Sequence, residues 1–203
     1  DEDGQIRCNT TWGDYPMYLP ESTDDPINKS FAGMMLLSNK KYAIASSSLE
    51  GHGIENTVDE NIRTYWAAQT GGPDEWMMID LGEICSVEAI QVNFGEHNTI
   101  PEIVRGRENA IYQQYIIEKS TDGMNWEILV DKSENLQDVP HDYIELDQAI
   151  NTRYIKLKNV YTPGEGNFAV RGLRVFGNSE NLVMTDILDF HVERDSEDGR
   201  DAL

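Results

Sequence analysis

Apolar and polar residues alternate with a period of two along much of the stretch from Ser38 to Gly177, the period of a strand with one buried face. In Val87-Glu88-Ala89-Ile90-Gln91-Val92-Asn93-Phe94 the residues Ile90, Val92 and Phe94 are expected to point inward, with Gln91 and Asn93 on the opposite face. Arg153-Tyr154-Ile155-Lys156-Leu157-Lys158 repeats the pattern with Ile155 and Leu157 inward, and Tyr143-Ile144-Glu145-Leu146 is a third case. Between Tyr115-Ile116-Ile117-Glu118-Lys119 and Trp126-Glu127-Ile128-Leu129-Val130 lies Asp122-Gly123, a pair that supplies the positive φ of a tight hairpin, so these two runs are expected to be antiparallel neighbours. No long run has helical spacing, and nothing alternates strand with helix as a parallel sheet requires. The pattern predicts an all-β fold, a sandwich rather than a barrel.

With 203 residues and 39% hydrophobic content, the chain has room for one well-packed domain plus flanking pieces. The flanks read as connectors: residues 1–37 hold a polar, proline-bearing stretch with a few apolar anchors, and residues 179–203 carry the charged run from Glu193 to Asp201 near their end. Asp1-Glu2-Asp3-Gly4 lacks the basic start and apolar stretch of a signal peptide, so the chain is expected to be part of something longer.

Charge narrows the partners. Against 16 basic side chains stand 37 acidic ones, a formal net charge of -21. The average field repels phosphate backbones and anionic lipid, which argues against nucleic acid and membrane. Cys8 and Cys85 are far apart and form no CxxC or Cys/His cluster, so zinc is not indicated. In Ile84-Cys85-Ser86-Val87 the cysteine reads as a small buried apolar side chain, with a disulfide or a reactive thiol as the alternatives.

Taken in order, Ala45-Ser46-Ser47-Ser48, Asp59 through Thr64-Tyr65-Trp66, Glu75-Trp76-Met77-Met78-Ile79-Asp80-Leu81-Gly82, Ser120 to Trp126, Thr152 to Leu157 and Leu173-Arg174-Val175-Phe176-Gly177 resemble the motifs of a discoidin, or coagulation factor C-type, domain over residues 38–178. The resemblance implies a jelly-roll β-sandwich of the galactose-binding-domain-like kind, and its bacterial members, the family 32 carbohydrate-binding modules, ride on glycosidases and hold glycans. Asn9-Thr10-Thr11-Trp12-Gly13-Asp14-Tyr15-Pro16 looks like the closing segment of a family 43 glycoside hydrolase propeller, of xylosidase or arabinosidase type, so residues 1–37 are expected to close a preceding catalytic propeller and form a linker. Residues 179–203 are expected to form a linker and the start of a following, fibronectin-like module. Such proteins are secreted, periplasmic or at the cell surface.

There is no H-E-x-x-H zinc motif, no G-x-S-x-G elbow and no Walker loop, and the acid pair of a glycosidase is expected in the preceding propeller, so no catalysis is expected of this chain alone. Sugar binding asks for a ring face and a few planar hydrogen-bonding groups. Trp66, Trp76 and Trp126 fall in framework motifs and read as packing residues, and Phe168 opens the apolar run Phe168-Ala169-Val170 and reads as core. The loop residues His52, His97, Asn98, Arg105, Arg107 and Tyr161 are the candidates for a neutral, plant-type glycan, each with the alternative of an ordinary solvated or anchoring role. The resemblance also implies a structural calcium ion at Asp59 and Thr64, which otherwise cap a turn; Gly172 stands where many relatives carry a glutamate. No organic cofactor is implied. The leading expectation is a module that targets an attached hydrolase to polysaccharide; a spacer without a glycan site and a cell-surface adhesion module are the alternatives.

Overall fold

The computed structural model describes residues 34–100 and 111–179. Eight antiparallel strands dominate: β1 (Met35–Leu36), β2 (Tyr42–Ala45), β3 (Trp66–Ala67), β4 (Trp76–Phe94), β5 (Gln114–Ser120), β6 (Glu127–Asp131), β7 (His141–Tyr161) and β8 (Ala169–Asn178). Two short 3-10 turns, Ile54–Thr57 and Pro163–Glu165, are the only helical elements among the described residues.

The strands run in the order β1-β8-β4-β7-β5-β6, with β2 added on β4 and β3 on β8. Strands β4 and β7 are long, 19 and 21 residues, and each serves two layers. The first half of β4 pairs with β2 and with the second half of β7, which in turn pairs with β5. After a break in register between Asp80 and Cys85, the second half of β4 pairs with the first half of β7 and with β8. Such a break bends a strand, and here it folds one hydrogen-bonded sheet into the two layers of a sandwich.

Between the layers lies one core. Met77, Ile79 and Leu81 of the first half of β4 meet Ile90, Val92 and Phe94 of its second half, together with Tyr115, Ile117, Ile155, Leu157, Leu173 and Val175. The inward Ile90, Val92 and Phe94 and the alternation of 153–158 are therefore present, a register shift between Val87 and Ala89 puts Val87 in the core as well, and Ile144 and Leu146 pack at the rim. Phe168 and Trp66 are fully buried, edge to face with ring centroids 5.5 Å apart, and the Trp66 indole nitrogen donates to the Ser47 carbonyl at 3.0 Å. Cys85 is buried and free, and burial raises its thiol pKa. Strand β1 and Leu37 belong to the sandwich although they precede Ser38: Leu36 pairs with Phe176 and Leu37 is buried in the core.

The β5–β6 hairpin turns at Asp122-Gly123 as expected, with Gly123 at φ 75. Asp122 accepts the backbone N–H groups of Asn125 and Met124, both at 2.8 Å, and these bonds hold its carboxyl well below the usual range.

Candidate functional site

Three connections gather at one end of the sandwich: the segment after β2, the segment after β4, and the link from β7 to β8. Backbone bonds join the last two, from Asn167 N to the His97 carbonyl and from Ile100 N to the Gly164 carbonyl, each 2.9 Å. The approach is close enough to exclude a side chain at position 166: a Cβ there would lie 2.7 Å from Thr99 Oγ1 and 2.9 Å from the His97 carbonyl oxygen. Asn98 sits at φ 53, a conformation asparagine tolerates, and its amide donates to Asn167 Oδ1 at 3.0 Å. Asn167 in turn donates to the carbonyls of Ala68 and Gln69, at 2.9 and 2.7 Å.

The base of this end is fixed by a buried carboxylate. Glu75, 6% exposed, accepts from Ser46 Oγ at 2.5 Å, Ser47 Oγ at 2.7 Å, Thr70 Oγ1 at 2.9 Å and Thr70 N at 3.1 Å. Burial opposes its ionisation, but the hydrogen bonds outweigh burial and hold the pKa below the ordinary glutamate value.

On that base stand rings. His52 and Tyr65 lie 4.3 Å apart by ring centroids, His52 and His97 4.7 Å, and the Tyr65 hydroxyl is 3.0 Å from Nδ1 of His97. Burial, and after it the charge of neighbouring His52, lowers the His97 pKa. A neutral His97 has one ring nitrogen that donates and one that accepts, and either tautomer can hydrogen-bond the Tyr65 hydroxyl through Nδ1. Arg171 lies over the Tyr65 ring at 5.3 Å. It is the extra residue of a bulge, since Asn93 pairs with Gly172 while the next residue, Phe94, pairs with Val170, and a bulge re-aims its side chain. Arg171 also borders a pocket of about 320 Å³ lined by Tyr112, Pro140, His141 and Pro163, and Tyr112 stacks on Tyr161 at 5.3 Å.

Of the residues expected to bind glycan, His52, His97 and Asn98 are placed on these loops, His52 and His97 in direct contact, while Tyr161 is the last residue of β7, paired with Gln114 of β5. Arg105 and Arg107 lie outside the described residues. Sequence reasoning missed Tyr65, Tyr112 and Arg171. Trp76 and Trp126 are half-buried on the outer face of the first layer, where Lys156 Nζ is 3.3 Å from the Trp126 ring centroid and 5.8 Å from that of Trp76.

At the expected metal position, Thr64 Oγ1 donates to Asp59 Oδ2 at 2.6 Å and lies 2.9 Å from the Asn61 carbonyl oxygen, and Asn61 N donates to Asp59 Oδ1 at 2.8 Å. These oxygens suit a hard cation in kind. Asp59 is the single carboxylate among them, and no group of three or more His, Cys, Asp or Glu side chains that could hold a metal exists among the described residues. The nearest further carboxylate in the turn, Glu60, is paired with Arg174 at 2.9 Å.

The strands form an antiparallel jelly-roll sandwich of the galactose-binding-domain-like kind. The F5/8 type C domain model matches residues 43–172, more than half of the chain, and the chain belongs to that family. Among solved structures, chitosan-binding module 1 of a chitosanase/glucanase from Paenibacillus sp. IK-5 is similar at 22% identity and TM-score 0.58, covering 70% of this chain and 99% of that one. Chitosan-binding module 2 of the same enzyme, solved with chitotriose, matches at 22% identity and TM-score 0.57, covering 70% and 99%. The family 32 carbohydrate-binding module of Clostridium perfringens NanJ, solved with galactose, matches at 16% identity and TM-score 0.54, covering 70% and 98%. At these identities the likeness is one of fold. Comparison with curated proteins gives no match.

Proposed function

We propose that the chain is a non-catalytic carbohydrate-binding module that holds a neutral glycan at the loop end and so targets an attached glycoside hydrolase, of xylosidase or arabinosidase type, to polysaccharide outside the cell. The observation that carries this reading is the ring cluster of His52, Tyr65 and His97, partly buried, with imidazole and phenol groups that can hydrogen-bond. A ring face beside planar donors is what a pyranose requires, with apolar C–H groups on one side and hydroxyls at the edge. Similar structures carrying chitotriose and galactose support the class of ligand. Tethering raises the local concentration of substrate at the linked active site even where each contact is weak.

A calcium ion at the turn before β3 belongs to the same proposal. Asp59, Thr64 and the Asn61 carbonyl would hold it, and its charge would stiffen the turn that leads into Trp66.

Calorimetry of the full chain against xylan, arabinan, arabinoxylan and galactose-containing oligosaccharides tests the reading. Binding by at least one of them, reduced tenfold or more in Tyr65→Ala, is the expected result. A chain that binds none of them is a spacer and the proposal falls.

A further inference from the structure

A second cleft, of about 280 Å³, opens on the outer face of the β4–β7–β8 layer. Its floor is a row across three strands, His141 of β7, Asn93 of β4 and Gly172 of β8, and the next row is Tyr143, Gln91 and Arg174. The turn bearing Glu60, Asn61 and Ile62 forms one wall. This wall explains why Asn93, on the outward face by alternation, is only 8% exposed.

The polar groups here are oriented and only partly used. His141 Nδ1 lies 2.9 Å from Asn93 Oδ1, and Arg174 donates to Gln91 Oε1 at 3.3 Å. With both amide oxygens engaged, Asn93 Nδ2 and Gln91 Nε2 remain as donors and His141 Nε2 as an acceptor, none with a partner among the described residues. Position 172 leaves the floor open: a Cβ there would stand in ordinary contact, 3.4 Å from Asn93 Nδ2 and 3.8 Å from the Thr57 carbonyl oxygen, so a larger side chain would project into the cleft. Charge is asymmetric as well. Arg174 is neutralised by Glu60, whereas Arg171 donates to the Ile62 carbonyl at 3.3 Å and has no carboxylate partner among the described residues. In a chain of net charge -21 this is a local cationic spot, and screening confines the repulsion of distant carboxylates to roughly 8 Å at physiological salt.

We propose that this cleft is a second saccharide site that takes a sugar residue bearing a carboxylate, with the carboxylate on Arg171 and the ring hydroxyls on Asn93, Gln91 and His141. A guanidinium fork matches a carboxylate in plane and charge, which a hydroxyl does not. Tyr143, 49% exposed and one row along, offers a ring face to the adjoining residue of an oligosaccharide. The site rests on the reading of the chain as a glycan-binding module and adjoins the loop end, since Arg171 reaches the Tyr65 ring and His141 lines both clefts, whereas Asn93, Gln91 and Gly172 belong to this cleft alone.

The test is amide-resolved NMR titration of the 15N-labelled full chain with a glucuronic-acid-bearing xylo-oligosaccharide and with its neutral counterpart. The acidic sugar is expected to shift the amides of Gly172 and Arg174, and Gly172→Val, which fills the floor, is expected to weaken it tenfold or more while neutral-sugar shifts at the loop end persist. In Arg171→Gln the preference for the acidic over the neutral sugar is expected to vanish. The proposal is overturned if the acidic sugar shifts only loop-end amides or none, or if Gly172→Val binds it as the wild type does. Failure of the loop-end reading is separate: there, no neutral sugar moves the amides around His97.

Discussion

The hydroxyl of Tyr65 lies 3.0 Å from Nδ1 of His97, joining residues 32 positions apart across the loop end of the sandwich. The hydroxyl can donate to a neutral His97 or accept from a protonated one, and burial, with the charge of nearby His52, lowers the His97 pKa below its ordinary value. A lowered folded-state pKa contributes stability above the unfolded value, near 6.5, that is lost as pH falls through the folded one. The contribution of His97 to stability is therefore expected to be constant above about pH 6.5 and to fall below it, as urea unfolding across that range would reveal. Tyr65→Phe is expected to remove the contact at a cost of about 0.5–1.5 kcal/mol in stability, read from urea unfolding.

Glu75→Gln replaces an ionised acceptor by a group that presents an NH2 to donors. Four hydrogen bonds converge on the carboxylate, and those to charged groups contribute about 1.5–3 kcal/mol each at most. The variant is expected to lose about 2–4 kcal/mol in chemical denaturation, a buried mismatch being the cause. Since hydrogen bonding depresses the Glu75 pKa, its contribution is present above the ordinary glutamate range and lost on acidification through the lower folded value.

Trp126→Ala tests whether that ring is framework. Lys156 sits over it at 3.3 Å, and burial lowers the lysine pKa despite the opposing charge of Glu118. A loss of about 1–2 kcal/mol is expected from the ring's packing and its cation–π contact, with glycan affinity within twofold of the wild type. A large loss of affinity at unchanged stability would instead make the outer face a sugar platform.

Millimolar calcium is expected to raise the melting temperature by about 2–4 °C, the shift that roughly 1 kcal/mol of binding at a few times Kd produces in a domain of this size. Asp59→Asn is expected to abolish the rise, and an EDTA-treated sample to match it. An unchanged melting temperature in the wild type would leave Asp59 and Thr64 as turn caps.

Much of this fold was legible because its signals are local. Alternation located Ile90, Val92, Phe94, Ile155 and Leu157 in the core, and Asp122-Gly123 marked its hairpin. The site was less legible because it is assembled from distant parts. His52 and His97 stood out as loop residues, but nothing nearby in sequence couples Tyr65, embedded in Thr64-Tyr65-Trp66, to a histidine 32 positions on. Arg171 needed the bulge in β8, a property of its pairing with β4. Asn93, assigned to the outward face by its period, is buried by a turn that alternation cannot see.

The pairing of Met35 with Gly177 has a mechanical consequence. Because β1 and β8 are antiparallel, the chain enters and leaves the sandwich side by side, so a pull on the two flanks opens that pair from one end, loading its hydrogen bonds in succession rather than together. The two-residue β1 is therefore expected to part from β8 before β4 and β7, which are threaded through both layers, give way.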